Sequence, residues 1–434
     1  MEPRELLEKV RQRDFKVGVI GLGRVGLPLA LAYAARGVPV IGIDLDEKRL
    51  ADVRQGVMPF KEDGADEVLR KLKGTDALRV SSDFQSLREA DAIFVTVGTT
   101  LNNEFRPDYS QVQGALSALA GVLRPVQILM LRSTVSPGTL TKAVKPYMEN
   151  ELHLKVGRDV LLASTPERIA AGKALVELPT LPEIVGGIDE LSSEVAAETL
   201  RVLGPEKKVH ITSSTGAELT KLFNNVYRYV TFALANEFAL MAEVYGVDAH
   251  QVINIANKDY LRGGIPLPGP CGGPCLAKDG YFLVEDLTFP DFILTAWKLN
   301  EGIPYHMIQR LRDALQERGK TIAGAKVAVL GMGFKADNDD LRQSPALRIQ
   351  EILRLEGADV TVTDPYYDTL SLEDAVADAD AVVLATNHTA YRHVTTSDLL
   401  ERTKPDCVFV DYWGQWRSAD GDASVLTLGR GVRA

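Results

Sequence analysis

The segment Pro-Leu-Pro-Gly-Pro-Cys-Gly-Gly-Pro-Cys-Leu-Ala-Lys-Asp, residues 266–279, contains the residue types best suited to covalent chemistry. Glycines and prolines bracket Cys275, so its thiol lies on a preformed loop rather than in a core element. Lys278 and Asp279 follow within four residues, and nearby cationic charge raises the thiolate fraction of a thiol. A thiolate adds to an aldehyde, and the thiohemiacetal yields a thioester when it loses hydride. We therefore expect Cys275 to be a covalent nucleophile.

Three other roles are possible for the cysteines of this loop. Cys271 and Cys275 could bind a metal ion, but no second cysteine pair or nearby histidine supports such a site, and we expect none. A structural disulfide is disfavoured in a reduced compartment. Cys275 could also be an inert, small apolar residue, which is the usual role of a free cysteine and the one we expect for Cys271.

A second cluster can bind a dinucleotide, because its glycines allow a tight turn and let backbone N–H groups approach a pyrophosphate: Gly21, Leu22, Gly23, Arg24, Val25 and Gly26. Asp44 ends the next strand-like run, where a carboxylate accepts hydrogen bonds from ribose hydroxyls. That carboxylate would repel the extra phosphate of NADP, so NAD is the expected cofactor. The alternative is a glycine turn that only packs a helix on a strand.

Polar residues form a stripe along a helix expected at 217–245. Helical spacing aligns four of them: Glu218, Lys221, Asn225 and Arg228. Such a stripe is usually solvated, with Glu218 and Lys221 paired. The other sides of the helix are apolar and predict its burial between the end domains: Leu219, Leu222, Phe223, Val226, Tyr227, Phe232 and Leu234. Lys221 would then stabilise an oxyanion, and Asn225 would add a neutral donor.

One carboxylate follows a strand-like run in the segment Leu-Leu-Ala-Ser-Thr-Pro-Glu-Arg, residues 161–168. Ligands of such sheets bind where strands end. Glu167 is therefore a candidate base for the water that hydrolyses a thioester, although a carboxylate in this position is more often a simple surface group.

The elements that carry these residues alternate between strand and helix in two regions. Strand-like runs begin at Lys16, Val38, Asp91, Val126 and Val160, and they resume at Lys326 after a stretch with only helical patterns. This order predicts an α/β fold with two Rossmann-like, doubly wound domains joined by a central all-helical domain. The expected bounds are 1–212 for the NAD-binding domain, 213–318 for the helical domain with the cysteine loop, and 319–434 for the last domain.

Composition excludes several classes of protein. The 434 residues carry a formal net charge of -10, which argues against general affinity for nucleic acid or for an anionic membrane surface. No secretory signal or membrane span is visible, and three cysteines are too few for a disulfide framework. We therefore expect a cytoplasmic enzyme.

Taken together, the motifs resemble the UDP-glucose/GDP-mannose dehydrogenase family over nearly the whole chain and in the same order. The matching blocks are the first glycine turn, Ser133-Thr134, 165–168, 218–225, 272–279, 333–335 and 340–345. The resemblance implies an NAD domain, a central domain that forms a homodimer, and a last domain that binds the nucleotide diphosphate of a UDP-sugar.

The resemblance also implies roles for single residues. The expected catalytic set is Cys275 as nucleophile, Lys221 and Asn225 on the reacting oxygen, Asp279 in proton transfer, and Glu167 in thioester hydrolysis, with Thr134 beside them. Besides the first glycine turn and Asp44, the cofactor would be bordered by Arg49, Thr99, Thr134, Lys278 and Arg342. The residues expected to contact the substrate are Glu167, Arg168, Lys221, Asn225, Arg228, Gly272, Gly273, Phe334 and Lys335. Arg262 would also reach a sugar site, either that of its own subunit or that of the partner subunit.

The implied reaction is oxidation of the C6 alcohol of a UDP-N-acetylhexosamine to the uronic acid. Several features are similar to that branch, namely the Pro-Gly-Pro run before Gly272, the run at 279–283, and Arg228. Lys278 before Asp279 is instead similar to the UDP-glucose and GDP-mannose branch, so UDP-glucose stays an alternative substrate. A two-electron β-hydroxyacid dehydrogenase would leave Cys275 without a role, and a silent nucleotide-sugar binder is the alternative from another class.

Overall fold

A computed structural model of the chain describes residues 2–284, 287–416 and 425–431. The chain forms two compact units. The first comprises the described residues of Met1–Asn224 and Tyr281–Asp286, and the second those of Asn225–Gly280 and Leu287–Ala434. Each unit is built around its own parallel sheet. The three-domain bounds expected from the sequence stay a prediction.

The first unit is a Rossmann-type domain. Its ten strands are β1 (Val17–Ile20), β2 (Val40–Ile43), β3 (Leu78–Ser81), β4 (Ala92–Val95), β5 (Thr100–Leu101), β6 (Pro107–Asp108), β7 (Gln127–Leu131), β8 (Val160–Ser164), β9 (Glu183–Gly187) and β10 (Val209–Ile211). Eight of them form one sheet in the order β10-β9-β8-β7-β4-β1-β2-β3, and β5 pairs with β6 as a small antiparallel ribbon.

Strands of this sheet are apolar without alternation because helices cover both faces. Strands β1, β2, β4, β7 and β8 are buried at every position. The helices of this region are α1 (Pro3–Arg11), α2 (Gly26–Ala34), α3 (Glu47–Gln55), α4 (Ala65–Leu72), α5 (Ser110–Ala118), α6 (Lys145–Asn150), α7 (Ala174–Glu177) and α8 (Glu190–Arg201). Only the β8–β9 pair is antiparallel in the large sheet. The order reverses between β1 and β4, where such sheets bind dinucleotides.

The middle of the chain is helical, as the sequence predicts. Its helices are α9 (Ser214–Val244), α10 (Ala249–Asn257), α11 (Leu276–Asp279), α12 (Tyr281–Val284) and α13 (Asp291–Glu317). The prediction that α9 is apolar and buried is wrong for three side chains, since Phe223 is 58% exposed, Tyr227 70% and Leu234 49%. Among the described residues, no helix has the length and apolar character needed to cross a bilayer.

The second unit contains a smaller parallel sheet. Its strands are β11 (Lys326–Leu330), β12 (Asp359–Thr363), β13 (Ala381–Leu384), β14 (Val408–Asp411) and β15 (Val425–Thr427), and its helices are α14 (Pro345–Leu355), α15 (Leu372–Val376) and α16 (Thr396–Leu400). The strand order is β12-β11-β13-β14-β15, with all pairs parallel. Like the first sheet, it is doubly wound, and it reverses between β11 and β13. The predicted fold class is therefore confirmed.

Candidate active site

The first glycine turn has the geometry of a dinucleotide cradle. Gly21 has a φ of +91°, and a Cβ on Gly26 would lie 1.8 Å from the Gly21 carbonyl oxygen. Only glycine therefore lets α2 begin this close to β1. A Cβ on Gly23 would meet nothing within 4 Å, which leaves room for a ligand against the backbone. The turn fits a pyrophosphate at the start of α2.

The carboxylate of Asp44 is held at the end of β2. Its Oδ2 accepts the backbone N–H of Leu22 at 2.7 Å and Nη1 of Arg49 at 2.8 Å. Its Oδ1 accepts the backbone N–H of Asp46 at 2.9 Å. The structure thus brings Asp44 and Arg49 together beside the glycine turn, and Arg24 of that turn lies over the Phe60 ring at 5.0 Å from its centroid.

Two further residues expected at the cofactor lie together at the ends of β4 and β7. The Thr99 hydroxyl donates to the backbone oxygen of Thr134 at 2.8 Å. The Ser133 hydroxyl donates to the backbone oxygen of Val97 at 2.6 Å. These bonds fix the two loops at the point where the strand order reverses.

Glu167 is buried in a network that the sequence does not reveal. Its side chain pairs with Arg132, whose guanidinium also binds Glu183, and Lys207 binds Glu183 in turn. Arg168 points elsewhere, because its guanidinium donates to the backbone oxygen of Pro182 and to the Asn224 side chain at 3.4 Å.

The polar stripe of α9 divides into buried and exposed members. Glu218, Lys221 and Asn225 are buried, whereas Arg228 is exposed. Glu218 accepts the backbone N–H groups of Gly138 at 2.6 Å and Leu140 at 3.0 Å, and this arrangement replaces the Glu218–Lys221 pair considered from the sequence.

Lys221 is 8% exposed, and among the described residues its ammonium group has no hydrogen-bond or ion-pair partner. A buried, unpaired cation is available to an oxyanion, which is the role expected for Lys221.

The two cysteines of the 266–279 loop differ sharply in environment. Cys271 is buried, and burial raises the pKa of its thiol to about 12, so it stays protonated. Cys275 is exposed and directly precedes α11. Its sulfur interacts electrostatically with the Arg342 guanidinium, which also binds Asp340 through two of its nitrogens. Of these two thiols, only that of Cys275 is accessible to a substrate.

Asp279 lies one turn after Cys275 and is completely buried. Its Oδ2 accepts a hydrogen bond from Nδ2 of Asn225 at 2.6 Å, and its Oδ1 accepts one from Nζ of Lys278 at 2.6 Å. Lys278 therefore forms an ion pair with Asp279. Asn225, Lys278 and Asp279 form one connected polar group in the second unit.

The glycines before Cys275 let the loop pack on the segment after β11. The Gly273 backbone N–H donates to the Gln343 oxygen at 2.8 Å, and a Cβ on Gly273 would lie 2.6 Å from Cδ2 of Phe334. A Cβ on Gly272 would lie 2.5 Å from the Gln343 oxygen. The structure thus places Gly272, Gly273 and Phe334 side by side, with Lys335 next in the chain.

Asn236 anchors the other end of this loop and was missed from the sequence. Its side chain exchanges two hydrogen bonds with the backbone of Gly269, at 2.9 and 3.1 Å, and donates to Asn300 at 3.0 Å. An amide within the largely apolar run 229–242 of α9 was the available signal. Arg132 carried a similar signal, since it is a cation at the end of an apolar strand.

Arg262 lies on an exposed loop. Its guanidinium is 5.3 Å from the centroid of the Tyr260 ring, and the adjacent Leu261 is fully exposed. Among the described residues, it forms no hydrogen bond or ion pair with another residue of the expected site.

Comparison with known families decides the assignment. Family profiles for an NAD binding domain, a central domain and a UDP binding domain match residues 15–203, 215–301 and 328–418. The chain belongs to the UDP-glucose/GDP-mannose dehydrogenase family. It is therefore an NAD-dependent nucleotide-sugar dehydrogenase, with the glycine turn, Asp44 and Thr99 in its NAD-binding domain.

Relatives match almost end to end. A UDP-N-acetyl-D-mannosamine dehydrogenase of Pyrococcus horikoshii is 34% identical over 87% of this chain and 91% of its own length. An NDP-N-acetyl-D-galactosaminuronic acid dehydrogenase of Ralstonia nicotianae is 31% identical over 93% and 97%. The solved structure of a UDP-D-ManNAc dehydrogenase from Pyrococcus horikoshii superimposes with a TM-score of 0.91 at 32% identity, covering 96% of this chain and 99% of that one.

Proposed function

We propose that this family member oxidises the C6 alcohol of a UDP-N-acetylhexosamine to the uronic acid in two steps, through a thiohemiacetal and a thioester on Cys275. The observation that carries the proposal is the contrast between its thiols, since Cys275 is exposed beside Arg342 while Cys271 is buried with a raised pKa. The choice of sugar is supported by the relatives named for N-acetylhexosamine substrates.

The residues divide the chemistry between them. NAD, when bound, accepts the hydride of each oxidation. Lys221 binds the reacting oxygen as it gains negative charge, and Asn225 adds a neutral donor. Asp279, which Asn225 and Lys278 hold in place, takes part in proton transfer.

Cys275 retains the aldehyde as a covalent adduct, so a reactive intermediate is not released between the two oxidations. In the last step the oxygen of a water molecule bonds to the thioester carbon, its proton passes to Glu167, and the carbon–sulfur bond breaks. The Cys275 thiolate is thereby restored.

Substrate recognition is proposed to rest on the residues that the resemblance indicates. Phe334 and Lys335 would meet the UDP-sugar beside the glycines of the cysteine loop, and Arg168 and Arg228 are further candidates for substrate binding. Lys278 and Arg342 would border NAD.

A homodimer is part of the proposal. Apolar side chains repeat along one side of α9 at Tyr227, Leu234 and Met241, and all three are about half exposed or more. A stripe with this seven-residue spacing is typical of helices that pair with another helix. Arg262, on the nearby exposed loop, would then act at the sugar site of the partner subunit.

Light scattering on the purified protein tests the assembly. We expect the mass of two chains, and Leu234→Glu should lower it to that of one chain because it would bury a charge in the contact. Glu237→Gln, on the next turn of α9, is the control. A single-chain mass for the unaltered protein would contradict the dimer and with it the role of Arg262.

The catalytic test compares the cysteines in the presence of NAD and UDP-N-acetyl-D-mannosamine. Cys275→Ala should abolish uronic acid formation, and Cys275→Ser should trap an ester that intact-protein mass spectrometry detects. Cys271→Ala is the matched control and should retain activity, because its buried thiol is not a nucleophile. Unchanged acid yield from Cys275→Ala would disprove the covalent mechanism. We place the enzyme in the cytoplasm, where free cysteines stay reduced.

A further inference from the structure

Both oxygens of the Glu167 carboxylate are held by the first unit itself. Oε1 accepts the backbone N–H groups of Arg168 at 2.6 Å and Ile169 at 2.9 Å. Oε2 accepts Nε of Arg132 at 2.6 Å and also contacts its Nη2. The chain therefore fixes one orientation of this carboxylate.

Arg132 is held as tightly as the carboxylate it binds. Its side chain is 0% exposed, and two of its nitrogens bind Glu183, at 3.1 Å to Oε1 and 3.2 Å to Oε2. Nη1 also donates to the Thr165 backbone oxygen at 3.2 Å. Arg132 follows β7, Glu167 follows β8 and Glu183 begins the antiparallel β9, so one guanidinium joins three segments at one sheet edge.

Lys207 completes the cluster. Its Nζ binds Oε1 of Glu183 at 3.1 Å and donates to the backbone oxygens of Leu181, at 2.8 Å, and Leu178. Two cations thus balance two carboxylates in the interior. A buried charge that loses its partner is strongly destabilising, so each member holds the others in place.

Burial and the charged partners have opposite effects on the pKa values of Arg132 and Glu183. Burial lowers the pKa of Arg132, but Glu167 and Glu183 outweigh burial and raise that pKa above its usual value. Burial favours protonated Glu183, yet Arg132 and Lys207 outweigh it and lower the pKa of Glu183. The Arg132–Glu183 pair is therefore ionised at neutral pH.

We propose that Arg132 is a positioning residue for thioester hydrolysis, which holds the Glu167 carboxylate in one orientation while Glu183 and Lys207 keep Arg132 in place. The inference rests on the proposed function, in which Glu167 accepts the proton of the attacking water. Arg132 takes no part in either hydride transfer. Its loss should therefore slow hydrolysis and leave both oxidations fast.

The test is a rapid-mixing measurement on Arg132→Met with excess NAD and UDP-N-acetyl-D-mannosamine. We expect a burst of two NADH per Cys275, a steady-state rate lower by roughly tenfold or more, and a thioester adduct in the intact-protein mass. Arg132→Lys should restore part of the rate.

Arg124→Met is the matched control, because Arg124 binds the carboxylate of Asp91 at 2.6 Å in the same unit. It should leave the burst and the steady-state rate unchanged. If Arg132→Met slows burst and steady state equally, or leaves both unchanged, the inference is wrong.

If Arg132→Met does not fold, Glu183→Gln tests the inference in its place. With Arg132 retained, it should keep the burst and show a smaller loss of steady-state rate. An unaltered steady-state rate would overturn the inference. Failure of the unaltered enzyme to form NADH with any nucleotide sugar would instead overturn the proposed function and this inference with it.

Discussion

Glu218 offers a quantitative test of the structure, because it is a buried carboxylate that the chain uses as a cap. It accepts the backbone N–H groups of Gly138 and Leu140, and so ties α9, one turn before Lys221, to the segment after Thr134. Burial raises the pKa of Glu218 to about 6, and the two N–H groups offset only part of that effect. Glu218→Gln removes the titration while nearly keeping the shape.

The magnitude follows from the shift in pKa. A rise from 4.5 to about 6 corresponds to about 2 kcal/mol. Because the folded pKa is raised, the native state binds the proton more tightly than the unfolded chain does. The stability from Glu218 is therefore fully present below pH 4.5, is lost as the pH rises through about 6, and stays lost above it.

Glu218→Gln also lowers the free energy of unfolding by a constant amount, because an amide has one acceptor oxygen for the two N–H groups. That cost of ~1–3 kcal/mol does not depend on pH. The difference in stability between Glu218→Gln and the unaltered protein should therefore move in favour of the variant by about 2 kcal/mol between pH 4.5 and 7.5.

Thermal unfolding followed by circular dichroism measures this difference. For a unit of this size, 2 kcal/mol corresponds to a change of about 4–8 °C in the Tm difference. Exposed Glu151→Gln is the control and should show no such trend. A Tm difference that is constant with pH, or that moves against the variant as pH rises, would refute the burial of an ionised Glu218.

Two further predictions concern backbone geometry. Gly26→Ala should lower both the Tm and the affinity for NAD, because its Cβ would overlap the Gly21 carbonyl oxygen. Gly23→Ala should leave the Tm unchanged and weaken only NAD binding, as measured by calorimetry. Equal effects of the two substitutions would contradict the proposed dinucleotide-binding turn. Asn236→Ala should leave the buried N–H and C=O of Gly269 without their hydrogen bonds to this side chain, which should lower the free energy of unfolding by ~1–3 kcal/mol for each group. Hydrogen exchange in peptide 266–276 should then become faster, whereas the control substitution of the exposed Asn254 by Ala should not change it.

Regular elements were predictable because they depend on local pattern. The long helix expected at 217–245 is Ser214–Val244, and the strands expected to begin at Val160 and Lys326 are Val160–Ser164 and Lys326–Leu330. Glycine spacing was informative for the same reason, since close approach at Gly26 and Gly273 excludes any side chain.

Long-range pairing was not predictable in the same way. Arg132, Glu183 and Lys207 are far apart in sequence, and their charges meet only once β7, β8 and β9 are aligned. Lys278 seemed the natural partner of the Cys275 thiol because it is three residues away, yet it binds Asp279 and leaves Arg342 beside Cys275. The exposure of Tyr227 on a largely apolar helix likewise depends on which side of the helix the rest of the chain covers, and local pattern does not show this.

The most direct test of the central claim is the amount of NADH formed per sugar consumed. The purified protein would be given NAD with UDP-N-acetyl-D-mannosamine, UDP-N-acetylglucosamine, UDP-glucose or GDP-mannose in turn. The account predicts two NADH per sugar and a uronic acid product with a UDP-N-acetylhexosamine. Two NADH with UDP-glucose alone would reassign the substrate, and one NADH per sugar, or none with any of the four, would contradict the four-electron mechanism.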